Sequence, residues 1–264
     1  MKLGFIGTGN MASAIIGGIL GKNKVKQKDI IGSALTTKSR QRVKDKFGIE
    51  VTDSNLEVVE KARIIFLAVK PQLYNEVIKE IRDKIKEEQI IVTIAAGKSL
   101  QWLEEKFHKK QKIVRTMPNT PALVGEGMTV ATMNEQITRE EEGIILDLLQ
   151  SFGKVEVIPE SLMDAVVPVS GSSPAYVFML IEAMADSAVY SGVPREQAYR
   201  LAAQAVLGSA KMILESNRHP GDLKDMVCSP GGATIASVRT LEERGFRSAI
   251  IEAMQTCEAK CKNL

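Results

Sequence analysis

GFIGTGNMASAIIGGIL, Gly4 to Leu20, is the stretch whose reading decides the fold. An apolar run leads into it, glycines break it, and apolar residues at helical spacing leave it. Gly7, Gly9 and Ala12 make a G-x-G-x-x-A turn at this strand-to-helix junction. Gly7 permits the tight turn, Gly9 lets backbone approach a pyrophosphate, and Ala12 lets the helix lie close to the strand. The free N–H groups that open the helix then face an anion, with the positive end of the helix dipole behind them. The ligand implied is a dinucleotide, held by Gly7, Thr8, Gly9, Asn10, Met11 and Ala12.

Downstream, short Ile- and Val-rich runs alternate with amphipathic segments as far as about Ile158. DIIGS, IIFLAVK, QIIVTIAA, KIVRT, GMTVATM and KVEVI read as strands after KLGFIG. NEVIKEIRDKIK is typical of the segments between them, with Val77, Ile78, Ile81 and Ile85 on one helical face. Such alternation predicts an α/β Rossmann-type domain over residues 1–160, its mainly parallel sheet covered on both faces. Beyond Pro159 only helical patterns remain, near 162–169, 174–191, 194–216, 221–227, 233–244 and 246–260. Residues 161–264 therefore form an all-α second domain, with Ser173 a candidate cap and Pro174 and Pro194 candidate first residues of their helices.

Composition narrows the function. The 264 residues are 44% hydrophobic, enough for a real core, and 35 basic residues against 32 acidic give a net charge of +3 without a basic stripe. That balance argues against nucleic acid as a partner. Three cysteines, Cys228, Cys257 and Cys261, are too few for a disulfide framework and point to a reducing, cytoplasmic setting, with no metal site around them. The N-terminal apolar run is too short for a signal peptide. The most apolar segment, PAYVFMLIEAMADSAVYSG, carries Glu182 and Asp186, is shorter than a membrane span, and reads as a buried helix.

The second strand speaks to the kind of dinucleotide. An acidic residue roughly 20 residues past the glycines binds the ribose hydroxyls of NAD. Here the strand ends at Ser33, and Thr36, Thr37, Lys38 and Arg40 follow with hydroxyls and positive charge. NADPH is favoured over NADH, with Ser33 and Lys38 at the 2′-phosphate.

SPGGAT, Ser229 to Thr234, interrupts the second domain. Pro230 ends the preceding helix, Gly231 and Gly232 turn the chain, and a new helix begins near Ala233. Its free N–H groups make a second seat for an anion, against the plainer reading of a helix-helix connection.

FIGTGNMA, AVKPQ (Ala68 to Gln72), AAG (Ala95 to Gly97), MPNTP (Met117 to Pro121) and SPGGAT, in this order over essentially the whole chain, resemble the pyrroline-5-carboxylate reductases. The resemblance implies NAD(P)H-dependent reduction of 1-pyrroline-5-carboxylate to L-proline. It implies that Ser229, with the Gly232, Ala233 and Thr234 N–H groups in the turn shaped by Gly231, holds the substrate carboxylate, while the Thr234 hydroxyl contacts the ring nitrogen and is the catalytic group. It also implies that Ala68, Val69, Lys70, Pro71, Ala95, Ala96, Gly97, Met117, Pro118, Asn119 and Thr120 line the cofactor pocket, with Asn55 near the adenosine. Members of the family form dimers through the helical domain, often joined into rings.

Two other readings are weighed against this one. A hydroxyacid dehydrogenase of the same plan needs a lysine on the first long helix of the second domain, and GSSPAYVFMLIEAMADS has none. A redox sensor binding NADP without turnover needs no intact SPGGAT turn. His108, in EEKFHKK, and His219, before Pro220, read as solvated or capping residues rather than catalytic ones.

Overall fold

A computed structural model describes residues 2–108 and 110–261. Eight strands form one sheet: β1 (Leu3–Ile6), β2 (Ile30–Ser33), β3 (Glu50–Thr52), β4 (Ile64–Leu67), β5 (Ile90–Thr93), β6 (Lys112–Met117), β7 (Gly127–Met133) and β8 (Gly153–Val157). Their order is β3-β2-β1-β4-β5-β6-β7-β8. The first six run parallel, and β7 turns antiparallel against β6, pairing Arg115 with Thr132 and Met117 with Val130. The sheet is thus a doubly wound one in which β1 and β4 flank the switch in strand order, where α/β proteins gather their ligands. The short, polar β3 is absent from the apolar runs legible in the sequence, because edge position and not hydrophobicity makes it a strand.

Helices cover both faces. On one lies α1 (Asn10–Gly21), burying Ile15, Ile16 and Ile19 against Phe5 and Phe66, whose rings stack at 4.8 Å. With it are α2 (Thr37–Phe47) and α6 (Arg139–Leu149). On the other are α3 (Asn55–Lys61), α4 (Tyr74–Ile81) and α5 (Leu100–Phe107). Local chemistry sets their ends. Thr36, Ser54 and Ser99 cap α2, α3 and α5, Thr138 and Glu141 close a capping box on α6, and Gly48 ends α2 in the left-handed conformation. Helix α4 stops at Ile81, earlier than its sequence pattern runs, yet Ile85 still reaches the core through the turn that follows.

The helical part comprises α7 (Met163–Val166), a π-helical turn at Val167–Gly171, α8 (Ser173–Tyr190), α9 (Arg195–Ser216), α10 (Pro220–Val227), α11 (Ala233–Glu243) and α12 (Phe246–Cys261). Helical structure runs from Glu160 to Tyr190, with Ser173 the first residue of α8, and Pro194 is the N-cap of α9. Two compact units emerge: Met1–Ser172 with Cys257–Leu264, and Ser173–Thr256. The sheet unit therefore holds α7, the π-turn and the last turn of α12, which pack Met163, Val167 and Cys261 onto Met117 and Val130.

The expectation of a short apolar helix at 174–192 is corrected in its length, and its burial is not met within a single chain. The helical run Glu160–Tyr190 spans 31 residues with an apolar window of mean hydropathy 1.3, enough by length and composition alone to cross a bilayer. Within α8 only Ala185 is buried in the single chain, and Phe178 and Met179 remain 60% and 68% exposed. An all-round apolar sequence demands burial, but a single copy of this unit does not supply it.

Candidate active site

The sheet unit brings three strand ends together around the first glycine turn. Gly7 has φ +90°, and a Cβ there would stand 2.8 Å from the Ala68 carbonyl oxygen, so no other residue fits. Its N–H donates to Ser33 O at 3.1 Å, and Ala68 N–H donates to Ile6 O at 2.8 Å. Gly9 differs: its φ is −71°, and a Cβ there would meet no protein atom within 4 Å. The space beside Gly9 faces the start of α1, which has no side-chain cap and no acidic residue in its first turn. Asn10 and Met11 open that helix, and Ala12 is buried beneath it. Thr8 is 4% exposed, with an unpartnered buried hydroxyl. Uncapped N–H groups, an open approach at Gly9 and an orphaned hydroxyl fit a dinucleotide pyrophosphate.

Next to the turn is a cleft lined by Gly7, Ser33, Asp53, Asn55, Glu76 and Glu80. Ser33 Oγ donates to Asn55 Oδ1 at 2.7 Å, and Asn55 Nδ2 donates to Glu80 Oε2 at 2.8 Å. Ser33, expected at the 2′-phosphate, and Asn55, which the resemblance sets near the adenosine, are thus bonded to each other. The basic residues are more committed than the sequence suggests. Arg40 donates to Ala34 O, Leu35 O and Thr37 Oγ1, bracing the loop after β2, while Thr36 caps α2. Lys38 sits exposed in the first turn of α2. Arg42, which no motif marks, donates to Thr8 O at 2.8 Å and fixes the glycine turn from outside.

Ala68, Val69, Lys70 and Pro71 follow β4, with Lys70 exposed and Pro71 opening a short 3-10 turn. Behind them the Tyr74 hydroxyl donates to Leu67 O at 2.6 Å, and burial pushes its pKa up. It is therefore a neutral structural donor. Ala95, Ala96 and Gly97 follow β5, Gly97 with φ +73°. Met117, Pro118 and Asn119 leave β6, all three buried. Asn119 has both ends of its amide engaged: Nδ2 donates to Ser170 O at 2.9 Å and Oδ1 accepts from Met128 N–H at 2.8 Å. It shapes the loop through its side chain and leaves only backbone for a ligand.

Sequence reading also missed Arg115. It is 4% exposed, and its guanidinium pairs with Glu160 at 2.9 Å and Asp164 at 3.0 Å. Glu160 Oε1 in addition accepts the Leu100 N–H at 2.6 Å, tying β6, the start of α5 and the entry to α7 into one node. The signal was available in KIVRTM, an arginine among apolar strand residues, which must be paired if buried.

In the helical unit, SPGGAT forms the predicted turn. Gly231 has φ +70°, Gly232 N–H donates to Ser229 O at 3.0 Å, and Gly232 is the N-cap of α11 with no side-chain cap. A Cβ on Gly232 would lie 2.5 Å from Ser229 Oγ, so the hydroxyl reaches over the turn only because glycine is there. Ser229, Gly231, Ala233 and Thr234 are exposed in the single chain. The result is an open, uncapped helix start with two hydroxyls beside it. His219 Nδ1 accepts from Gly221 N–H at 3.0 Å as the cap of α10, while His108, at the end of α5, is exposed.

Comparison with known proteins agrees with this arrangement. Residues 160–264 match the family model for pyrroline-5-carboxylate reductase dimerisation, and residues 2–97 match that for coenzyme F420-dependent NADP oxidoreductases. The chain is 51% identical over 263 residues to the pyrroline-5-carboxylate reductase of Escherichia coli K12, covering 100% of this chain and 98% of that one. It is 42% identical to pyrroline-5-carboxylate reductase 3 of Danio rerio, over 100% of this chain and 91% of that protein. A crystal structure of the Plasmodium falciparum pyrroline carboxylate reductase with NADP bound superposes with a TM-score of 0.92 at 32% identity, covering 100% of this chain and 97% of that one. Prephenate dehydrogenase of Aquifex aeolicus, at 15% identity and a TM-score of 0.56, shares the fold alone. With an intact dinucleotide turn, an intact SPGGAT turn and these relatives spanning its full length, the chain belongs to the pyrroline-5-carboxylate reductase family.

Proposed function

We infer that this chain reduces 1-pyrroline-5-carboxylate to L-proline with NAD(P)H, the closing step of proline synthesis. One observation carries the reading: the chain holds two uncapped helix starts, at Gly9 and at Gly232, one suited to a pyrophosphate and the other to a carboxylate. When bound, the nicotinamide supplies the hydride that the imine carbon accepts. Gly7 to Ala12 hold the pyrophosphate, Ser33, Lys38 and Asn55 the adenosine end, and the segments at 68–71, 95–97 and 117–119 border the nicotinamide. Ser229 Oγ and the N–H groups of Gly232, Ala233 and Thr234 orient the substrate carboxylate. Thr234 Oγ1 meets the ring nitrogen, whose protonated form is the better acceptor. Little else is asked of side chains, since alignment supplies most of the rate.

The functional division falls between residues 1–160, which bind the cofactor, and 161–264, which bind substrate and associate. The apolar face of α8 and α9 is covered by a second copy of the chain rather than by lipid, giving a cytoplasmic homodimer able to join into rings of dimers. Each active site then draws its cofactor and substrate parts from different chains. A steady-state assay with the five- and six-membered cyclic imines against NADPH and NADH tests the activity. Cofactor oxidation with 1-pyrroline-5-carboxylate, and none with 3-hydroxyacids, is expected; the reverse pattern overturns the reading. Mixing chains disabled at Thr234 with chains disabled at Gly7 to Ala12 should restore part of the activity after subunit exchange if the sites are shared.

A further inference from the structure

The cleft beside the glycine turn is more acidic than a pocket for a 2′-phosphate should be. Asp53, Glu76 and Glu80 all line it; Arg40, which donates to the carbonyls of Ala34 and Leu35, pairs with Asp53 at 3.9 Å and leaves Glu76 and Glu80 to set the sign. Its hydrogen bonds also have a direction. A carboxylate only accepts, so Glu80 obliges Asn55 to present its NH2 group, at 2.8 Å. The Asn55 carbonyl is then what faces Ser33, and the one Ser33 hydroxyl proton is drawn to it at 2.7 Å. Ser33 is 2% exposed, so little solvent competes for that proton. What Ser33 Oγ offers the cleft is lone pairs. A ribose 2′-hydroxyl can donate to lone pairs; a 2′-phosphate, which at neutral pH brings mainly acceptors and negative charge, cannot.

We propose that Glu80 is a positioning residue for cofactor selectivity: through Asn55 it holds the Ser33 hydroxyl as an acceptor, which keeps the unphosphorylated dinucleotide bound well and restrains preference for the 2′-phosphorylated one. The proposal rests on assigning this cleft to the adenosine ribose. Glu80 itself is exposed on the last turn of α4 and lines the cleft, but it reaches the Ser33 hydroxyl only through the Asn55 amide. In Glu80→Gln the new side chain can donate to the Asn55 carbonyl as well as accept from its NH2 group, so the amide is no longer held one way round and the Ser33 proton is free to turn toward the ligand.

The test uses the full-length protein and titration calorimetry with 2′,5′-ADP and 5′-AMP, which carry the adenosine end alone and need no turnover. Glu80→Gln is expected to raise affinity for 2′,5′-ADP about 3- to 10-fold, the worth of one ordinary hydrogen bond, and to weaken 5′-AMP by a similar factor. Glu76→Gln removes the same charge from the same cleft without freeing the amide. It is expected to strengthen 2′,5′-ADP slightly and leave 5′-AMP unchanged, because charge removal does not weaken a neutral hydroxyl. If the two variants behave alike, charge alone acts and the relay is refuted. Ser33→Asp separates the proposal from the assignment beneath it. Should Ser33→Asp weaken 2′,5′-ADP while Glu80→Gln changes neither nucleotide, the relay fails and the cleft stands; should neither variant affect either nucleotide, the cleft assignment fails and the relay with it.

Discussion

Strands β1, β4 and β5 are buried at every position, whereas α11 contains no buried residue and the 18-residue α8 only Ala185. The two compact units are built from similar proportions of apolar residues but dispose of them differently. In the sheet unit each apolar helix face finds strand side chains within its own chain. In the helical unit Met179, Leu201, Leu207, Leu214 and Ile251 stay more than half exposed. At about 25 cal/mol per Å² of apolar surface, such a face represents a large unrealised stabilisation, and association is the means of realising it. The family model that covers residues 160–264 is a dimerisation model, in keeping with that reading.

The contrast breaks most readily at the helical unit. Met179→Glu, placing a charge on the exposed face of α8, should leave the sheet unit folded but weaken association by about 3–5 kcal/mol, the cost of an unpaired buried charge. Analytical ultracentrifugation should show monomers, and activity should fall with them. A variant that remains an active dimer would move the interface elsewhere.

Within the SPGGAT turn the expected effect is smaller and confined to chemistry. On the proposed role of Thr234, Thr234→Ala removes one hydrogen bond to a charged group, about 1.5–3 kcal/mol, so kcat/KM should drop about 10- to 150-fold. NADPH affinity, measured by fluorescence, should not change. An unaltered kcat/KM would take Thr234 out of the mechanism.

The sheet unit offers a sharper pair. Gly7→Ala forces a Cβ to 2.8 Å from Ala68 O at φ +90° and should lower stability by about 1–3 kcal/mol, seen as a fall in Tm. Gly9→Ala meets no protein atom and has an ordinary φ, so Tm should hold while cofactor affinity falls. Equal loss of Tm in both variants would contradict the division between a glycine required by the fold and one required by the ligand.

The smallest effect concerns the start of α6, where it meets β6. Burial pushes the Glu141 pKa up, but its hydrogen bonds to Lys112, at 2.6 Å, and to Thr138 outweigh this and leave it below its ordinary value of 4.5. A carboxylate depressed by folding contributes stability that is complete above its unfolded value and is lost as pH falls through the folded one. Melting curves should therefore show the contribution intact at pH 7 and shrinking below about pH 4.5, and Glu141→Gln should flatten that part of the profile. Thr138→Ala, which opens the capping box, should cost about 1 kcal/mol at neutral pH.

Much of this molecule was legible along the chain because its signals are local. Gly7, Gly9 and Ala12 announce the turn by their spacing, apolar runs, most of them rich in Ile and Val, announce seven of the eight strands, and Pro230 with two glycines announces the break before α11. The sequence likewise read His219 as a solvated or capping residue, and it caps α10 through a contact only two residues long. Less visible were groups whose partners lie far along the chain. Arg42 holds Thr8 across 34 residues, Arg115 reaches Glu160 across 45, and Asn119 meets Ser170 across 51. No periodicity encodes such pairings.

The amino-acid sequence by itself determined the mainly parallel sheet covered on both faces, the all-helical second part and the two glycine turns, since each follows from backbone conformational limits and hydrophobic period acting over a few residues. Only the tertiary structure decided that the most apolar helix is exposed in a single chain, and that Asn119 is spent on its own loop. The tertiary structure also brought Asn55 into hydrogen bonds with both Ser33 and Glu80. Burial and hydrogen-bond direction depend on what arrives from elsewhere in the fold, and a side chain's neighbours in space are fixed only when the sheet and helices have packed.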